Sequence, residues 1–194
     1  DVSIKDLTDD IVPEKYKDNK VVVAISSLCV NDILDLVDGG VTKAKINNLV
    51  AAKFGDAVIG DAIELFYEKW ADISALSEVG TIKIADVSAM LCGFKSVSDT
   101  LSKVTVGGLL GDIVPEKYES NEFVKAAYTI NVGEVIELIA EFDKDKLYNK
   151  IEEKFGEVVM GSVISLFYPD WATVSPLNAL GSITITDYAA VLLG

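Results

Sequence analysis

The chain consists of two copies of one pattern. Asp10-Ile11-Val12-Pro13-Glu14-Lys15-Tyr16 recurs unchanged as Asp112-Ile113-Val114-Pro115-Glu116-Lys117-Tyr118. Farther along, Lys53-Phe54-Gly55 returns as Lys154-Phe155-Gly156, Leu65-Phe66-Tyr67 as Leu166-Phe167-Tyr168, and Trp70-Ala71 as Trp171-Ala172. The stretch from Gly80 to Gly93 is matched by Gly181 to Gly194. Both copies must therefore adopt one fold, and at about 95 residues each is long enough for its own small core. The expected organisation is a first repeat unit at 1–93, a polar connector at 94–100 and a second unit at 101–194.

What the chain lacks narrows its chemistry. All 17 cations are Lys, set against 31 acids, and there is no Arg, His or Gln. Without imidazole there is no Ser-His-Asp or Cys-His pair and no His metal ligand, and without guanidinium there is no bidentate clamp for phosphate. The formal charge of -14 repels nucleic-acid backbones, so no nucleic-acid partner is expected. No apolar run approaches the roughly 18 residues of a membrane span. Paired carboxylates remain as an acid–base option, but none sits in an aromatic, Gly-rich loop suited to sugar, and the expectation is a protein that is not an enzyme.

The local pattern reads as α+β and helix-rich. Val2 to Lys5 and Val104 to Val106 alternate like short strands, as do Gly80 to Ile84 and Gly181 to Ile185. A turn or a short helix is expected to start at Pro13 and at Pro115. Val21 to Ile25 resembles a strand, yet its partner Phe123 to Tyr128 is helical in pattern, so helix is expected for both. Further helices are expected from Asn31, over Lys43 to Phe54, and over Asp56 to Trp70, with their counterparts in the second copy. Gly60 and Gly161 fall inside the last of these, which implies close packing there. Phe66, Tyr67 and Trp70, with Phe167, Tyr168 and Trp171, are expected mainly as core, with a lipid or pigment pocket as the functional option.

Gly80-Thr81-Ile82 followed by Asp86 resembles the second half of an EF-hand or dockerin-like loop over about a dozen residues. That resemblance implies calcium, but the early ligand positions fall on Ala75, Ser77 and Val79, and in the second copy on Pro176, Asn178 and Leu180. Asp86 and Asp187 therefore read as acids at helix N-termini. Asp32, Asp35 and Asp38, and Glu134, Glu137 and Glu141, offer at most loose surface Ca²⁺ binding. No cofactor is expected.

The chain opens at Asp1 without Met, which favours processing and an extracellular or cell-surface location. In that compartment a Cys29–Cys92 disulfide is an option, although Cys92 stands where the second copy has Leu193. These readings converge on a self-assembling structural protein, the subunit of a filament, tube or sheath built head to tail as a homo-oligomer or polymer. The self-association candidates are the opening strand through Val2 and Ile4, and the exposed repeat through Pro13, Glu14, Lys15, Tyr16, Pro115, Glu116, Lys117 and Tyr118. The alternative is an extracellular module holding a small apolar ligand or a surface partner between its halves.

Overall fold

In the computed structural model, which describes residues 3–4 and 12–194, the segments expected to be strands are helix beginnings. The protein is all-α, with 65% of it helical and no strand or sheet among the described residues. The α+β expectation is thus overturned, and the reason is local. Each alternating segment contributes a single bridge residue, and those at Lys83, Thr105 and Thr184 then turn into a helix, while Val2 and Lys5 of the opening segment lie outside the described residues. Ser3 bridges Cys29, Val58 bridges Lys83, Thr105 bridges Asn131 and Val159 bridges Thr184. At the second clasp the Ile59 N–H donates to Ile82 O at 2.9 Å and the Ile84 N–H to Ala57 O at 3.0 Å. A helix N-cap is extended and keeps apolar neighbours on both sides, so its sequence alternates like a strand.

Two compact units result, Asp1–Thr100 and Leu101–Gly194. Unit 1 contains α1 (Lys20–Ser26), α2 (Val30–Val37), α3 (Lys43–Phe54), α4 (Ile59–Glu64), α5 (Ser74–Gly80) and α6 (Ile84–Leu91). After α7 (Asp99–Lys103), in which the expected connector ends, unit 2 contains α8 (Val106–Leu110), α9 (Glu122–Tyr128), α10 (Val132–Ala140), α11 (Lys144–Phe155), α12 (Met160–Ile164), α13 (Ser175–Gly181) and α14 (Ile185–Leu193). In unit 1, α3 packs on α6, α1 and α2, and in unit 2, α11 packs on α14 and α9. The cores are small, built in unit 1 around Ala57, Leu76, Val79 and Met90 and in unit 2 around Leu101, Val104, Val124 and Ile136. No helix among the described residues is long and apolar enough to cross a membrane.

Each unit is itself built twice on one plan. In the three halves described throughout, a clasp residue opens a helix, a short 3-10 turn carrying an aromatic follows, and a second helix begins at the partner residue of the clasp; in the first half of unit 1 the clasp residue Ser3, the turn and the second helix are described. The four turns are Glu14–Tyr16, Trp70–Asp72, Glu116–Tyr118 and Trp171–Thr173. Tyr16, Trp70, Tyr118 and Trp171 each stand thirteen residues before the second clasp residue of their half. Pro13-Glu14-Lys15-Tyr16 and Tyr67-Glu68-Lys69-Trp70 are thereby counterparts within one unit.

The long helix expected over Asp56 to Trp70 is interrupted. Only Ile59–Glu64 is helical, and Trp70 returns in its own turn to lie against Gly60 and Gly80. A Cβ on Gly60 would overlap the Trp70 ring and stand 3.1 Å from Gly80 O. Trp171 occupies the same place over Gly161 and Gly181. The glycines therefore make room for an indole as well as for a crossing backbone. In unit 2 the turn after the helix contains Pro169, which has no N–H to donate and disfavours a helical residue before it, although unit 1 breaks at the same place with Glu68 there.

Asn19 joins the two halves of unit 1. Its side-chain oxygen accepts from the N–H groups of Val21 and Val22, capping α1, while its Nδ2 donates to Asp61 O at 2.8 Å. Asn121 repeats this, capping α9 at Val124 and donating to Ser162 O at 2.8 Å. The α2 cap lies at Cys29 rather than Asn31, because Asp32 reaches back to accept from the Cys29 N–H at 2.8 Å.

Candidate docking surface

Helix α2 has no buried residue, although it carries Val30, Ile33, Leu34 and Val37. These side chains are exposed although α3 packs on α2. Unit 2 repeats the feature on α10, where Val135 is exposed and Ile139 is 55% exposed, and adds Phe142 in the following loop at 67%. Gly40 stands at about the Phe142 position in unit 1, with φ 93, in a loop of five residues, 38–42, against three, 141–143.

Between α10 and α11 the apolar residues enclose a cleft of about 270 Å³, lined by Ile130, Val135, Leu138, Ile139, Phe142 and Ile151 among others. Its far end is closed by Phe155, stacked on Phe123 with ring centroids 5.5 Å apart. Along the rim, Lys150 Nζ lies 2.8 Å from Glu134 and 2.9 Å from Glu153, and Lys154 lies 3.2 Å from Glu153. The two carboxylates hold the Lys150 ammonium above its ordinary pKa, and Lys150 and Lys154 hold the Glu153 carboxyl below its own.

The matched hollow of unit 1 is polar, lined by Asp32, Asp35, Leu36, Lys45, Asn48 and Leu49. Here the Lys45 ammonium folds over the end of α2, donating to Asp35 O at 3.1 Å and to Asp38 O. Its counterpart Lys146 turns outward, 3.8 Å from Glu141. A lysine placed on helix C-terminal carbonyls thus lines the hollow of unit 1, which is about 290 Å³, whereas Lys146 does not line the cleft of unit 2.

Three of the acids considered for loose calcium binding, Asp32, Glu134 and Glu141, pair with lysines. Asp32 pairs with Lys53 at 2.6 Å, and Glu134 in unit 2 pairs with Lys150. The Cys29 thiol, 3.0 Å from Asp32 Oδ2, together with Lys53 and the Cys29 N–H, lowers the Asp32 carboxyl to about 2. Among the described residues no group of three or more His, Cys, Asp or Glu side chains could hold a metal ion. Asp86 sits in the first turn of α6 and pairs with Lys95 at 2.8 Å, and Asp187 accepts from Thr184 Oγ1 at 2.7 Å.

The self-association candidates are spread over both units. Val2 lies outside the described residues, whereas Ile4 donates its N–H to Leu28 O at 2.8 Å and so takes part in a clasp of its own unit. Pro13, Glu14 and Lys15 are exposed beside a half-buried Tyr16, and Pro115, Glu116, Lys117 and Tyr118 match them. Both lysines lie 4.5 Å from the centroid of the adjacent tyrosine ring, and Lys15 also reaches Glu68 at 2.8 Å. Pro169 replaces Glu68 in unit 2. The stacked lysine and the turn give the repeated heptapeptide a role inside each unit. Cys29 and Cys92 are free thiols, the latter capping α6.

Two residues escaped the sequence reading. Phe66 and Phe167, expected in the core, are 91% and 84% exposed. Each follows the short helix α4 or α12, on the turn that carries the indole back. A nearly bare aromatic at the same place in both units is a surface feature, not a packing residue. The signal available in advance was that Leu65-Phe66-Tyr67 puts three large apolar residues in succession, of which one helix face can bury only part. Comparison with family models, with curated proteins and with solved structures finds no match for the chain.

Proposed function

We propose that this is a non-enzymatic structural protein that assembles with copies of itself, as the subunit of an extracellular or cell-surface filament, tube or sheath. The observation that supports the reading is the matched exposure of apolar side chains in both units, Phe66 with Phe167, Ile33 with Val135, and Val37 with Ile139. Two like surfaces on one chain give each molecule two places to meet a neighbour.

The magnitudes favour cooperative growth over tight pairing. Burying one Phe removes about 150–250 Å² from water, which at about 25 cal/mol/Å² is roughly 4–6 kcal/mol. Association costs about 4–15 kcal/mol in lost freedom. A single aromatic contact is therefore weak, and the neighbouring apolar residues and repetition along a polymer must supply the rest.

Sedimentation velocity and negative-stain microscopy of the full chain across concentration test the reading. Growth in mass with concentration and regular polymers are the expected result. A single monomeric species up to millimolar concentration overturns it. A second reading, a binding module for a small apolar molecule, is favoured by the cleft between α10 and α11. It places the ligand inside unit 2, and its mark is a lipid or pigment that copurifies with dispersed monomers.

A further inference from the structure

We propose that copies join head to tail, the bare end of α14 in unit 2 of one molecule, at Val191 and Leu192, docking on the bare face of α2 in unit 1 of the next, at Val30 and Leu34. The inference rests on the self-assembly reading and assigns it two surfaces. These surfaces are matched positions that the fold buries in one unit and not in the other. Leu34 is 55% exposed, whereas Ile136, which matches it on α10, is 7% exposed. Val191 is 82% exposed, whereas Met90, which matches it on α6, is 2% exposed. One face is thus bare in unit 1 and covered in unit 2, and the other is covered in unit 1 and bare in unit 2.

The covered pair belongs to the passage from one repeat to the next. After Gly93 the chain turns back over the end of α6, where the Phe94 and Lys95 N–H groups donate to Ala89 O at 2.8 and 3.2 Å and the Lys95 ammonium reaches Asp86 at 2.8 Å. Farther along, Leu101 and Val104 are buried, and Val104 O accepts from the Val132 N–H at the start of α10 at 2.9 Å. The passage thus runs along both helices whose faces are covered. In arrays of like units each unit covers its neighbour, and the outermost faces must be polar if the array is to stay dispersed. Here the two faces left over are apolar, Val30 and Leu34 one turn apart with Ile33 and Val37 beside them, and Val191 with Leu192. A second copy is the occupant that answers both, since its unit 1 can follow a unit 2 as unit 2 follows unit 1 in sequence. Because the faces differ and belong to different units, the contact is heterologous, and it propagates from copy to copy or closes as a ring.

The test uses two full-length variants, Leu34→Lys, which keeps the α14 end, and Val191→Lys, which keeps the α2 face. Each lysine lowers the net negative charge, so a loss of assembly cannot come from added repulsion. Both positions are exposed, and circular dichroism with thermal melting checks that the fold is retained. Val30→Lys and Leu192→Lys address the same two faces if a first variant melts early. By sedimentation velocity each folded variant alone is expected to raise the concentration for half-assembly about 30-fold or more. Mixed in equal amounts, Leu34→Lys and Val191→Lys are expected to form a two-chain particle and stop there. A mixture that stays monomeric where the native chain assembles, or either folded variant assembling as the native chain does, overturns the inference while leaving self-assembly standing. A native chain that never assembles overturns the underlying reading as well.

Discussion

Trp70 covers Gly80 so closely that a methyl group on that glycine would overlap the indole. Gly80→Ala is therefore expected to destabilise unit 1 by about 2 kcal/mol, since the ring must shift out of its seat. Gly181→Ala should do the same to unit 2. Each unit contains one of the chain's two Trp residues, so Trp70→Phe and Trp171→Phe backgrounds report the units separately. Urea titrations followed by fluorescence should show each alanine moving the midpoint of its own unit and leaving the other in place.

Asn121 satisfies backbone groups in two different helices, the Val124 N–H at the start of α9 and the Ser162 carbonyl in α12. Loss of a side-chain cap costs about 1 kcal/mol, and a carbonyl left without its donor adds to this. Asn121→Ala should destabilise unit 2 by roughly 1–3 kcal/mol. Asn121→Asp retains the cap acceptor but loses the donor, and should fall between native and alanine. Thermal melts of the three chains check the order.

Asp32 titrates from its ordinary value of 3.8 down to about 2 in the folded chain, through the Cys29 thiol first and Lys53 second. A depressed carboxyl contributes stability that is complete above the unfolded value and is lost as pH falls through the folded one. Unit 1 should therefore weaken between about pH 4 and pH 2. Cys29→Ala should move the Asp32 carboxyl upward, as read by its NMR titration. Asp32→Asn should remove that part of the acid dependence, while Glu153, held down by Lys150 and Lys154, keeps the same sign in unit 2.

The pair Lys15–Glu68 is short but lies in water, with side chains 58% and 70% exposed. Surface pairs of this kind contribute little. Glu68→Ala should leave the melting temperature of unit 1 within error, consistent with Pro169 standing at that place in unit 2.

Assembly should strengthen with salt. Two chains of formal charge -14 repel each other as wholes. Raising ionic strength shortens the screening length to about 8 Å at 0.15 M and about 3 Å at 1 M. Light scattering should show half-assembly at lower protein concentration in high salt, and a shift in the opposite direction would mean that charge pairing dominates the contact.

The duplication and most helices were readable in advance, because repetition and three- and four-residue spacing over Lys43 to Phe54 leave few alternatives. Val21 to Ile25 was placed correctly as helix by requiring it to match Phe123 to Tyr128. The strand expectation at Ile82-Lys83-Ile84 failed because three alternating residues fit an extended N-cap as well as a strand, and the single bridge to Val58 depends on chain that lies 25 residues earlier. The inner doubling of each unit was hidden, since Tyr16 and Trp70 correspond only once the clasps fix the register. That one of Leu65, Phe66 and Tyr67 must stay in water was legible in their succession, but not that it is Phe66, because hydrophobicity says that a side chain gains from leaving water and not which of three neighbours finds cover.

Phe66 and Phe167 are left out of both cores, so neither unit depends on them to hold its shape. Under the proposed self-assembly, gathering and folding would then be governed by different side chains. Alteration at these two positions is expected to retune how a population of chains organises, from dispersed to continuous, without a penalty in the integrity of any individual chain.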